Sequence, residues 1–131
     1  MNRPLNICLI DDDDIHLYTL KRALNEIELP KIVTTFSDGE EAINYIQDNI
    51  DNNDSLPDII LLDINMPIMD GFDFIETYLK LHIDKKISIY MLSSSVNPND
   101  IKRAKEISII SDYIIKPIKD ETLEQILHSK H

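Results

Sequence analysis

Apolar residues gather in short runs along this chain, and four of the runs end on a reactive polar side chain. Ile7-Cys8-Leu9-Ile10 leads into Asp11-Asp12, and Ile59-Ile60-Leu61-Leu62 into Asp63. Ile87-Ser88-Ile89-Tyr90-Met91-Leu92 leads into Ser93, and Tyr113-Ile114-Ile115 into Lys116-Pro117. Short runs of β-branched and aliphatic residues between polar breaks predict buried parallel strands. A further strand is expected over residues 31–36. Between the runs the apolar spacing lengthens to three or four, the helical period. Leu17, Leu20, Leu24 and Ile27 stripe a first helix that Asp13 or Asp14 can cap. Ser37-Asp38-Gly39-Glu40 has the form of a capping box, with Ala42, Ile43 and Ile46 on one face of the helix it opens. Phe72, Ile75 and Leu79 stripe a third helix after Gly71. Asn97-Pro98 opens a fourth, whose inner face is Ile101, Ala104 and then Ile107 or Ser108. Leu123, Ile126 and Leu127 mark the last. Five strands alternating with five helices imply an α/β fold, a parallel sheet covered by helices on both faces.

Composition narrows the partners. The 131 residues suit one domain spanning 1–131, with 43% hydrophobic residues. A net charge of −11 makes duplex DNA and anionic membranes poor direct partners. The single cysteine, Cys8, has no internal disulfide partner and lies in a predicted strand, which suits a buried residue in a reducing, cytoplasmic compartment. No signal peptide is visible, and no run reaches the roughly 18 apolar residues of a membrane span.

Ligands of open α/β sheets bind at the carboxyl ends of the strands. Asp11, Asp12, Asp63, Ser93 and Lys116 are therefore expected on one edge. Mg²⁺ takes oxygen ligands, and three crowded carboxylates gain from a divalent cation. Asp63 can then act as a nucleophile and form an aspartyl phosphate. Mg²⁺, the Lys116 ammonium and the Ser93 hydroxyl would each attend one phosphoryl oxygen.

Four segments carry a family resemblance: Leu9-Ile10-Asp11-Asp12-Asp13, Asp63-Ile64-Asn65-Met66-Pro67-Ile68-Met69-Asp70-Gly71, Leu92-Ser93-Ser94 and Tyr113-Ile114-Ile115-Lys116-Pro117. In this order and spacing the chain resembles a receiver domain of the two-component response regulators over essentially its whole length. The resemblance implies a flavodoxin-like, doubly wound sheet with strand order 2-1-3-4-5. It implies Asp63 as phosphoacceptor, Asp12 as a direct Mg²⁺ ligand and Asp11 as a ligand largely through water. It implies the Asn65 backbone carbonyl as a further ligand, Ser93 as the switch hydroxyl and Tyr113 as the ring that moves inward on activation. Lys116 would bind the phosphoryl group, and its bond to Pro117 would be cis. The donor would be a phosphohistidine on a sensor kinase or phosphotransfer protein. The output face would be helix 4, strand 5 and helix 5, where Lys102, Arg103 and Lys105 form a basic cluster. A monomer or a phosphorylation-dependent dimer would fit.

Other readings compete. Haloacid-dehalogenase-type phosphohydrolases share the aspartyl nucleophile, Ser/Thr, Lys and acidic pair. Their nucleophile follows the first strand, the acidic pair comes late, and Asp stands two residues after the nucleophile. Here the acidic pair comes first and position 65 is Asn. A receiver-like module that never meets phosphate is the second rival, which an intact site argues against. Asp13 and Asp14 read as cap and surface. Residues 51–55 lack the glycine and distal glutamate of a calcium loop and read as solvated. His16, His82, His128 and His131 form no convincing ligand set. The chain is expected to be a stand-alone receiver that acts through a partner; a fragment of a longer protein is the alternative.

Overall fold

The computed structural model describes residues 3–129. Five strands, β1 (Leu5–Ile10), β2 (Lys31–Phe36), β3 (Ile59–Asp63), β4 (Ser88–Ser93) and β5 (Ile110–Ile115), alternate with five helices. The helices are α1 (Asp14–Asn25), α2 (Gly39–Asp48), α3 (Gly71–Lys80), α4 (Pro98–Lys105) and α5 (Asp120–His128). All four strand pairs are parallel, in the order β2-β1-β3-β4-β5. The doubly wound architecture expected from the sequence is the one observed.

The period-two alternation of the strands divides the core. Ile7, Leu9, Ile59 and Leu61 face α1 and α5, where Leu17, Leu20, Leu24, Leu123, Ile126 and Leu127 meet them. Cys8, Ile10, Ile60 and Leu62 face α2, α3 and α4 on the other side. Both faces of β3 are covered, so every residue of that strand is buried. Cys8 sits inside the core, and its burial pushes the thiol pKa far up.

Local details decide between alternatives or amend the sequence pattern in four places. Asp13, not Asp14, caps α1, accepting the Ile15 and His16 N–H groups at 3.0 and 3.3 Å. Asp38 caps α2 by accepting the Glu41 N–H at 2.8 Å; Ser37 instead donates its hydroxyl to the Glu41 carboxylate at 3.1 Å. In α3 the buried face is Phe72, Phe74, Ile75 and Tyr78, while Leu79 is 47% exposed. Ile27 and Ile107 pack on the core from beyond the ends of α1 and α4, and Ser108 is exposed. Asn97 caps α4 with Pro98 at its first turn, as the sequence indicates.

At the amino edge of the sheet a buried carboxylate ties three strands together. Asp58 accepts the Asn6 N–H at 2.8 Å and pairs with Arg3 at 3.1 Å and Lys85 at 2.9 Å. Burial works against its ionised form, but the Asn6 N–H, Lys85 and Arg3 prevail and hold its pKa below the usual carboxylate value.

Candidate functional site

The carboxyl ends of β1, β3, β4 and β5 bring the expected residues together. Asp11 follows β1, held by its own N–H to the Phe36 carbonyl at 3.1 Å. Asp63 closes β3 and Ser93 closes β4, and all three are buried. Carboxylate oxygens of Asp11, Asp12 and Asp63 lie within 4.8 Å of one another, with Asp12 exposed at the rim. This all-oxygen set fits a hard divalent cation such as Mg²⁺ and lacks the sulfur or nitrogen donors that favour softer metals.

Lys116 bridges the two buried acids. Its ammonium lies 3.2 Å from Asp11 Oδ2 and 3.2 Å from Asp63 Oδ1. Burial pulls the Lys116 pKa down, but the two carboxylates outweigh it and the net direction is up. Asp63 also shifts upward, away from an ordinary carboxylate. Burial and then the Asp11 charge raise its pKa from 3.8 to about 6, against the pull of Lys116 and the Asn65 N–H. Asp11 is lowered: burial opposes its charge, but His16, the Asp13 N–H and Lys116 overcome that penalty. Two acids in one site are thus driven apart, one kept firmly anionic and the other left basic.

The loop after β3 sets the outer wall. Gly71 donates to the Ile64 carbonyl at 2.9 Å, and a Cβ there would stand 2.8 Å from Ile64 Cα and 3.0 Å from Asp63 O. Glycine is required for this close approach of α3 to the end of β3. Asp70 and Asp73 form a reciprocal capping box at the start of α3. Ile68, at φ 70°, lies in the left-handed region with its side chain fully exposed. That conformation costs a β-branched residue about 1–2 kcal/mol and is imposed by the short turn around it. The Asn65 N–H lies 3.4 Å from Asp63 Oδ1.

Ser93 is wired to its neighbours. Its Oγ accepts from Asn65 Nδ2 at 3.1 Å and from the Ser95 N–H at 3.0 Å, while its carbonyl accepts the Lys116 N–H at 2.8 Å. Tyr113 is half-buried against the core and donates its hydroxyl to the Ser95 carbonyl at 2.9 Å. Ser93 and Tyr113 therefore share one loop, the first through a backbone N–H and the second through the carbonyl of the same residue. The Lys116–Pro117 bond is cis. On α4 the Arg103 guanidinium stacks over the Phe72 ring at 4.1 Å, and Lys102 and Lys105 are exposed.

One residue of the site was not legible in the sequence. His16, on the first turn of α1, meets Asp11 Oδ2 through Nδ1. Its position five residues after Asp11 was the only available signal. Of the other histidines, His82 lies at φ 53° beyond α3, and His131 lies outside the described residues.

The family model described as the response regulator receiver domain matches residues 7–128. The chain belongs to this family. A solved two-component response regulator from Cytophaga hutchinsonii superposes with a TM-score of 0.83 at 27% identity, covering 96% of each chain. The phosphorylated cyanobacterial phytochrome response regulator RcpA gives 0.77 at 31% identity, over 95% of this receiver and 89% of that chain. The probable methanogenesis regulatory protein FilR2 of Methanothrix harundinacea is 26% identical over 122 residues, 93% of this chain and 78% of its own length. Against other curated relatives the receiver spans only 14% to 41% of their length. No helix among the described residues is long and apolar enough to cross a membrane.

Proposed function

We propose that this receiver accepts a phosphoryl group on Asp63 and switches a partner-binding face in response. The observation that carries the reading is the buried Asp63 carboxylate. One oxygen is held by Lys116 at 3.2 Å, and the Asp11 and Asp12 carboxylates stand beside it. A strand-end acid kept basic by burial beside a lysine ammonium is suited to nucleophilic attack on phosphorus. Asp12 would hold Mg²⁺ directly, Asp11 largely through water, and the Asn65 carbonyl would complete the protein's share. When bound, the cation supplies charge neutralisation at a phosphoryl oxygen.

The donor in this reading is a phosphohistidine of a sensor kinase or phosphotransfer protein. The Asp63 oxygen forms the new bond to phosphorus, the P–N bond breaks, and the imidazole nitrogen takes up a proton. Lys116 then turns to a phosphoryl oxygen and Ser93 Oγ gives its hydrogen to another. Moving Ser93 disturbs its bond from the Ser95 N–H, and the Ser95 carbonyl is what Tyr113 holds. The disturbance is thereby passed to the α4–β5–α5 face, where a target protein or a second receiver docks. Phosphate contributes only its differential interaction with two states, so the switch is a population shift of a monomer, or of a dimer formed on phosphorylation. We place the chain, residues 1–131, as one receiver domain acting in the cytoplasm through protein partners.

Acetyl phosphate tests the reading. A stoichiometric, Mg²⁺-dependent adduct on the wild type that Asp63→Asn does not form supports it. Rapid multiple turnover would indicate a phosphohydrolase, and no adduct an interaction module indifferent to phosphate. The order of the site along the chain, with the acidic pair on β1 and the acceptor on β3, favours the receiver over the hydrolase.

A further inference from the structure

Asp11 is the most heavily contacted acid of the site. Its Oδ1 accepts the Asp13 N–H at 2.9 Å, and its Oδ2 meets both Lys116 at 3.2 Å and the His16 imidazole. An ionised carboxylate can only accept, so His16 Nδ1 carries the hydrogen of this contact. Lys116 has a second duty at Asp63, also at 3.2 Å. A phosphoryl group on Asp63 would call on that same ammonium, and Asp11 would then have to give it up.

We propose that His16 is a positioning residue for phosphoryl acceptance. Its imidazole holds Asp11 Oδ2, so that Lys116 can leave Asp11 for the phosphoryl oxygens on Asp63. The inference rests on the phosphoacceptor reading above and adds a residue to it. Placement supports the role. The His16 backbone N–H is fixed by the Asp13 cap at 3.3 Å, and the side chain is only 15% exposed. The ring is thus fixed at its backbone and packed at its side, and need not move when Lys116 does. Without it, a buried carboxylate released by Lys116 would keep a single protein hydrogen bond, from the Asp13 N–H. That cost opposes release, and Lys116 would remain shared between the two acids.

The test uses the full chain with beryllofluoride as the phosphoryl mimic at saturating Mg²⁺, and Mg²⁺ alone, each followed by backbone NMR shifts. His16→Ala should weaken mimic binding on the order of tenfold, the effect of losing one charge-assisted hydrogen bond. Its affinity for Mg²⁺ alone should be unchanged or tighter, because Asp11 is freed. His16→Asn places an amide N–H near the position of Nδ1 and should recover most of the loss. Wild-type mimic binding by His16→Ala would overturn the proposal. So would a parallel loss of Mg²⁺ affinity, which would place the effect on the metal ligands. An Asn variant no better than Ala would do the same, by reducing His16 to packing. If the wild type itself bound the mimic no better than Asp63→Asn, the phosphoacceptor reading would fall, and this inference with it.

Discussion

Replacing Asp63 by Asn should stabilise the protein while removing its chemistry. The folded site raises the Asp63 pKa from 3.8 to about 6, so ionising this residue works against folding. At 1.36 kcal/mol per pH unit the gap between those values is about 3 kcal/mol. The sign follows from proton binding. Below pH 3.8 both folded and unfolded chains hold the proton, and Asp63 resembles Asn in charge and shape. Between 3.8 and about 6 the unfolded chain has released it and the folded chain has not, so wild type loses stability with each pH step. Above about 6 the deficit is constant. Because the shifted pKa already includes the attraction of Lys116, the loss of that ion pair is not a separate deduction. Urea unfolding of wild type and Asp63→Asn at several pH values reads this difference directly. At pH 7 and without Mg²⁺ the variant should be more stable by about 3 kcal/mol, or roughly 10 °C in Tm for a chain of this size. The advantage should vanish near pH 3.5. Added Mg²⁺ should narrow it, since a ligand of the native state stabilises wild type. A variant equal to or weaker than wild type at pH 7, or a gap that does not change with pH, would refute the reasoning.

Asp12→Ala should weaken Mg²⁺ binding severalfold in a calorimetric titration, whereas Asp13→Ala should leave the metal nearly untouched and cost about 1 kcal/mol of stability as a lost N-cap. Asp58→Asn should cost about 3 kcal/mol at pH 7 by leaving Lys85 and Arg3 without their buried partner. Since the folded Asp58 pKa is lowered, that stabilisation is present above the ordinary carboxylate value and fades as pH falls through the folded one, so denaturation at pH 3 should show a smaller loss. Gly71→Ala should lower Tm by pushing α3 away from the Asp63 carbonyl, at about 1–3 kcal/mol, and should slow phosphorylation by acetyl phosphate. Ser93→Ala should still accept phosphate yet show weaker hydrogen-exchange changes across residues 97–127, and a wild-type response there would break the proposed Ser93–Ser95–Tyr113 route.

The strand ends were legible because each apolar run stops where the chain leaves the sheet, and the fold then carries all four stops to one edge. Helix faces were less so. In α3 five large apolar residues, Phe72, Phe74, Ile75, Tyr78 and Leu79, allow two stripes, and packing against the sheet and α2 decides for Phe74 and Tyr78 over Leu79. The start of β5 was hidden because Ser111 and Asp112 are exposed on an edge strand and interrupt the apolar pattern. Asp58 and Lys85 could not be paired by local reasoning: 27 positions separate them, and only the β3–β4 register brings them together. His16 escaped for a related reason, since its partner lies in the preceding loop and not on its own helix.

β3 behaves as the fixed post of the molecule. It lies between β1 and β4, with every residue buried. Immediately before it, the backbone of Asp58 is tied to Asn6 at 2.7 Å and to Ser88 at 3.0 Å. A strand so fastened offers little compliance, so the bulk of a group added at its far end has to be taken up elsewhere. The softer parts are the β4–α4 loop, which meets β5 through the Tyr113 hydroxyl on the Ser95 carbonyl, and β5, which has a neighbouring strand on one side only. Stiffness on one side of Asp63 and softness on the other give a local chemical event a direction before any partner is present.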